Sequence, residues 1–266
     1  MPAINPERLK QETAELAADF LDPARFVRRL EALLDQYADR IRRPGHTGAP
    51  APLLPAYKVA PPVMRQILLT LTPLVEANPQ VALTLADALW EKPFLETRQI
   101  AIRLLSLYPV EDSIPILKRL HRWAKPGEEE HILEALFEKG LEPLQSQHPA
   151  LYLETIREWL NDSQVQFQIL GARALLPLAK NPAFENLPLI FRILVSRILD
   201  AQPPLRPHLA AVIYVLAERS PQETAHFLRQ VLVLTDNPGA AWIARQTFEL
   251  FSEEIQEKLK ETIRNR

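Results

Sequence analysis

The chain has 266 residues, 47% of them hydrophobic, with a formal net charge of −2 and no cysteine. That apolar content argues against global disorder, the length suits a single repeat array, and the charge excludes a polycation that binds nucleic acid through its whole surface. Without cysteine there is no disulfide, no thiolate zinc site and no cysteine nucleophile, as suits a reducing compartment. The first residues, MPAINPERLKQETAEL, contain no apolar run of the signal-peptide kind, and no uninterrupted apolar stretch is long enough for a bilayer. The expectation is a soluble cytoplasmic protein. Six glycines are few, and many of the 25 prolines sit where helices start or stop, as at Pro79, Pro109, Pro149, Pro182 and Pro221. The fold class read from this is all-α.

In chain order, residues 6–20 and 23–43 predict two helices. The second has an apolar face of Phe26, Leu30, Leu33, Leu34, Tyr37 and Ile41, with Arg28, Arg29, Arg40, Arg42 and Arg43 on its polar side and C-terminal end. Residues 44–56, PGHTGAPAPLLPA, hold two glycines and four prolines and read as a linker or surface loop. The expected organisation is therefore an N-terminal hairpin over 1–43, a linker over 44–56 and a repeat array over 57–266. Helices are predicted at 60–77, with a kink or break at Pro73, and at 79–91 and 94–108.

The stretch LWEKPFLETRQIAIRLLSLYP, 89–109, holds the unit that recurs: helix, breaker, helix, proline. Further pairs are expected at 113–124 with 128–141, 149–161 with 164–180, 186–201 with 205–219, and 221–235 with 239–251. A last charged helix, SEEIQEKLKETIRNR, caps the array. Ala101, Ala135, Ala172, Ala211 and Ala244 recur on the second helices, and Trp90, Trp123 and Trp159 close three successive first helices. This is the pattern of a right-handed α-solenoid of HEAT-like antiparallel pairs, an armadillo-like superhelix.

At 57–109 the pattern becomes more specific. YKVAPPVMRQI, then LW, then ExRxxAxxLL, resembles the N-terminal part of the AlkD-like DNA alkylation repair proteins, with matches at Val59, Pro62, Arg65, Leu89, Trp90, Glu96, Arg98 and Ala101. IREWLNDSQVQFQILGARALL and YVLAERSPQE resemble later segments of the same family. The resemblance implies a HEAT-like solenoid that binds duplex DNA in a concave basic groove and excises alkylated bases. It also implies a Trp-Asp-x-x-Asp segment whose ring faces DNA and whose second carboxylate stabilises oxocarbenium-like charge. Here that stretch is EEEHILEALFEKG, with Glu130 in place of the tryptophan and Glu134 in place of the acid. The family's arginine falls near Ile169 or Leu170, both apolar, and Tyr214 stands where a second groove tryptophan belongs.

Glu134 is accordingly a weak catalytic candidate. Glu128, Glu129 and Glu130 read as first-turn carboxylates favoured by the helix dipole. Arg65, Trp90, Arg98, Lys118, Arg122 and Tyr214 are candidates for contact with a partner or with DNA. The tryptophans read most simply as packing residues. No pair among His46, His121, His131, His148, His208 and His226 stands at metal-ligand spacing with an orienting carboxylate, and no Gly-rich phosphate loop is present. No metal, cofactor or membrane contact is therefore expected. The functional expectation is a non-catalytic HEAT-repeat scaffold whose concave face binds another protein. The alternative is an AlkD-like DNA-binding protein or glycosylase for alkylated bases. A mixed or acidic concave face is expected under the first reading, and a basic one under the second.

Overall fold

Proline sets most of the helix starts. The computed structural model describes residues 4–40, 54–235 and 237–265, and within them lie fifteen α-helices and no strand. Eleven of the fifteen carry proline at their first or second position, where its missing N–H would have no intrahelical partner. Asn5, Asp22, Asn186 and Asn237 add side-chain caps that accept first-turn N–H groups.

Two compact units divide the chain, residues 1–143 and 144–266. The first holds α1 (Pro6–Ala18), α2 (Pro23–Gln36), α3 (Pro61–Ala77), α4 (Pro79–Trp90), α5 (Leu95–Ser106), α6 (Ile114–Trp123) and α7 (Glu130–Ala135), which runs into a π-helical turn, Leu136–Gly140. Helices α1, α3, α5 and α7 with its π turn form one layer. In the other, α2 packs on α4, and α6 meets α4 through side chains. The hairpin expected at 1–43 shares this unit: Lys92 bonds Glu31, and Thr70 donates to Thr13. Its second helix stops at Gln36 rather than near 43. Tyr37 turns out of the helix to donate to Glu12 at 2.6 Å, and Asp39 N–H reaches Tyr57. Most of the predicted linker lies outside the described residues.

Of the kink or break predicted at Pro73, the break is absent, and α3 passes through as one helix. Proline removes the N–H that would bond Leu69 C=O, but Leu69 is exposed, so water can satisfy that carbonyl.

The second unit holds α9 (Pro149–Leu160), α10 (Val165–Lys180), α11 (Leu187–Leu199), α12 (Arg206–Arg219), α13 (Pro221–Leu234), α14 (Pro238–Arg245) and α15 (Glu253–Arg264). The short α8 (Glu142–Gln147), which the sequence reading missed, leads into it. Helices α10, α12 and α14 pack in series, as do α11, α13 and α15, and the pairs α9/α10, α11/α12 and α13/α14 cross between layers. Gly171 makes the α9/α10 crossing close: a Cβ there would lie 2.9 Å from Leu160 Cγ and 3.2 Å from the Ile156 carbonyl. Tyr152 of α9 donates to Ala174 C=O at 2.8 Å across the same contact.

The small-residue register is corrected at one pair. Ala101, Ala172 and Ala244 are fully buried and Ala135 is half-buried, whereas Ala211 is exposed and Ala210 takes the inward place. On α12 the stripe Leu209, Ala210, Ile213, Leu216 and Ala217 faces the core, which turns Ala211 outward.

Candidate functional site

The residues that carry the resemblance in the first unit form an internal clamp. Glu96, at the start of α5, is 4% exposed, and its carboxylate accepts the backbone N–H groups of Tyr57 at 3.0 Å and Lys58 at 2.6 Å. Lys58 stands at φ +58°, the left-handed region, and this brings two successive N–H groups onto one acid. The segment is fixed further where Leu95 N–H donates to Pro55 C=O and where the Tyr57 ring stacks on Phe94 at 4.4 Å.

Above this clamp lies a stack. The Trp90 and Trp123 rings lie 4.4 Å apart and 4° from parallel, and the Arg98 guanidinium covers Trp90 at 5.0 Å. Glu128 ion-pairs with Arg98, and both side chains are about 15% exposed. Asp87 of α4 receives both Arg119 and Arg122 from α6. Trp90, Arg98 and Arg122 thus sit in contacts between successive helices: Trp90 is buried, Arg98 is enclosed, and Arg122 is half-exposed but paired. Arg65 on α3 and Lys118 on α6 are exposed, and the structure does not bring them together with the stack. The stack packs Trp90 and Trp123 between α4 and α6.

Glu130, Glu134 and Glu138 stand four residues apart along α7 and its π turn, all exposed. The Glu134 carboxylate is 54% exposed and meets His131 Nδ1 at 3.4 Å. Stabilising a cationic sugar in a base-excision transition state needs a carboxylate fixed where water is excluded. Glu134 has neither the enclosure nor an aromatic neighbour in the Glu130 position.

In the second unit, α10, α12 and α14 line an open trough of about 590 Å³. Leu176 and Lys180 come from α10, Ala211 and Tyr214 from α12, and Trp242 from α14. Trp242 is 38% exposed. Apolar spacing alone reads it as packing; the deciding signal is that Ala240, Ala241 and Ala244 fill the inward face of the short α14, so the large ring turns outward. Gly239 lets α14 begin tightly against Arg206, whose Nε would lie 2.5 Å from a Cβ at that position. Partial desolvation raises the Tyr214 phenol above its ordinary pKa, reinforced by the nearby carboxylates of Glu218 and Glu249. Tyr214 is therefore a neutral, amphipathic contact surface beside two acids. Ile169 is half-buried and Leu170 buried. Arg219, in the segment resembling the family's late repeat, donates to the carbonyls of Ala179, Pro182 and Phe184, so it fastens the α10–α11 loop and does not line the trough.

Among the described residues no three acidic or histidine side chains gather as a metal site, and no helix is long and apolar enough to cross a membrane.

Serial packing of antiparallel pairs makes this an all-α HEAT-like repeat protein. The family model of the DNA alkylation repair enzyme matches residues 30–251, and the chain belongs to that family. No significant match is found among curated proteins or among solved structures.

Proposed function

We propose that this chain is a binding member of the family that does not excise bases, and that its trough on α10, α12 and α14 receives a macromolecular partner. The observation that carries this reading is the exposed series Glu130, Glu134 and Glu138, where the resemblance calls for an aromatic ring and an enclosed acid. The partner we favour is a protein. Tyr214 and Trp242 offer rigid, amphipathic contact area at low entropic cost, and Lys180 is the one cation among the residues lining the trough. A cytoplasmic setting suits the cysteine-free sequence.

A second reading, duplex DNA recognition, is favoured by the family and by two aromatic rings standing beside a lysine. The two readings separate on salt. Binding of a duplex carrying an abasic or alkylated site is measured at about 50 and 200 mM salt, a range over which phosphate neutralisation changes affinity by orders of magnitude. The protein-partner reading expects a dissociation constant weaker than on the order of 100 μM at both, the weak end of non-specific binding. Micromolar affinity that falls steeply with salt would transfer the assignment to DNA.

A further inference from the structure

A second surface of the 144–266 unit has a different chemistry. Between α11 and α13 runs an open groove of about 530 Å³ lined by Phe191, Arg192 and Val195 from one helix and Glu223, His226 and Phe227 from the other. Its floor is the stacked pair Phe191 and Phe227, with rings 4.8 Å apart. A second concavity of about 650 Å³ shares His226 and continues along α13 past Arg229, Val233 and Leu234 to Thr262 of α15. Val233 and Leu234 are 77% and 68% exposed, two adjacent aliphatic side chains left in water on one helix. Solvent-facing aliphatics continuous with an apolar groove mark a contact surface more than chance exposure does.

Charge distinguishes the surface further. Arg192 and Arg229 are exposed and make no ion pair with any described residue, and Glu223 is the sole carboxylate lining the two concavities. In the first unit, by contrast, Arg98, Arg119 and Arg122 are each held by an acid. An apolar floor flanked by unsatisfied guanidinium groups complements a segment that is apolar on one face and acidic along its edges. Each guanidinium can then take a carboxylate in charge-assisted hydrogen bonds as the floor is covered. The floor does not suit a nucleic acid: its aromatic rings stack on each other and are buried, leaving no face for a base, and two arginines make a poor phosphate track.

We propose that the α11/α13/α15 face is a docking groove for an acidic amphipathic helix of a partner protein. It is a surface separate from the α10/α12/α14 trough and stands or falls independently of it. The test uses the full chain and fluorescence anisotropy with three labelled synthetic peptides. One has leucines at helical spacing with glutamates on both flanks; the second has lysines in place of the glutamates; the third has the composition of the first with the leucine positions scrambled.

The acidic amphipathic peptide binds with a dissociation constant on the order of 10 μM, and the other two bind at least about tenfold more weakly. The double variant Arg192→Glu/Arg229→Glu, altered only at exposed positions, weakens the acidic peptide by about tenfold and strengthens the lysine peptide. Val233→Ser/Leu234→Ser weakens the acidic peptide severalfold at unchanged melting temperature. Equal binding of the acidic and lysine peptides, or an acidic peptide indifferent to the arginine replacements, overturns the proposal. So does concentration-dependent dimerisation abolished by Arg192→Glu/Arg229→Glu, which would give the groove to a second copy. Duplex DNA binding lost in that same variant would make it a phosphate site and overturn the proposal equally.

Discussion

Trp123→Ala destabilises the first unit by roughly 3 to 5 kcal/mol, the range for truncating a buried tryptophan. The ring is fully buried and stacks on Trp90, which in turn carries Arg98 and, through it, Glu128. Removing it opens a cavity between α4 and α6 and leaves the enclosed Arg98–Glu128 pair over an unsupported ring. Trp123→Phe costs less than half as much, because the indole N–H is buried without a hydrogen-bond partner and its loss removes no bond. Thermal unfolding of the two variants checks this: the alanine variant melts on the order of 10 °C lower, and the phenylalanine variant only a few degrees lower. Equal melting points for Trp123→Ala and the unaltered protein would show that the stack adds nothing to repeat packing.

Glu96→Ala costs about 2 to 4 kcal/mol through a different mechanism. The carboxylate is the sole acceptor for two backbone N–H groups, and a hydrogen bond to a charged acceptor contributes roughly 1.5 to 3 kcal/mol. Tyr57 is half-buried and Lys58 exposed, so water recovers part of the loss, which sets the estimate below the sum of two such bonds. Lys58 has no reason to hold φ +58° once the acid is gone. Amide exchange at Tyr57 and Lys58 accelerates in Glu96→Ala, and Glu96→Gln, which keeps one acceptor oxygen, falls between. Unchanged exchange at both amides would mean the segment is held by the Tyr57–Phe94 stack and the Pro55 carbonyl alone.

These two positions also show what the sequence makes legible. Apolar spacing and proline placement suffice for the helices, because burial of one stripe and the missing proline N–H are local properties. Glu96, Arg98 and Trp90 can be picked out as a pattern, but their roles cannot. That an arginine is enclosed by Glu128 thirty residues on, or that an acid caps a backbone segment 38 and 39 residues before it, depends on pairings that one-dimensional spacing does not encode. The converse holds at Trp242. It reads as packing until the alanines around it are seen to occupy the inward face of α14. Ala211 misleads for the same reason, since one step along a helix turns a residue by about 100° and exchanges inside for outside. The division after residue 143 leaves no compositional mark, whereas the Pro/Gly-rich stretch at 44–56 draws attention by composition alone. The unpaired arginines of α11 and α13 are likewise visible only once every nearby acid has been located.

Whether α7 carries chemistry decides between a binding protein and an excising enzyme. Release of free base from an alkylated duplex, followed at saturating protein against a no-protein control, measures this directly. The exposed, ring-less placement of Glu134 predicts release indistinguishable from the control, and no difference between the unaltered chain and Glu134→Gln. Base release well above the control that disappears in Glu134→Gln, with melting temperature unchanged, would contradict the account and make the protein an excising enzyme.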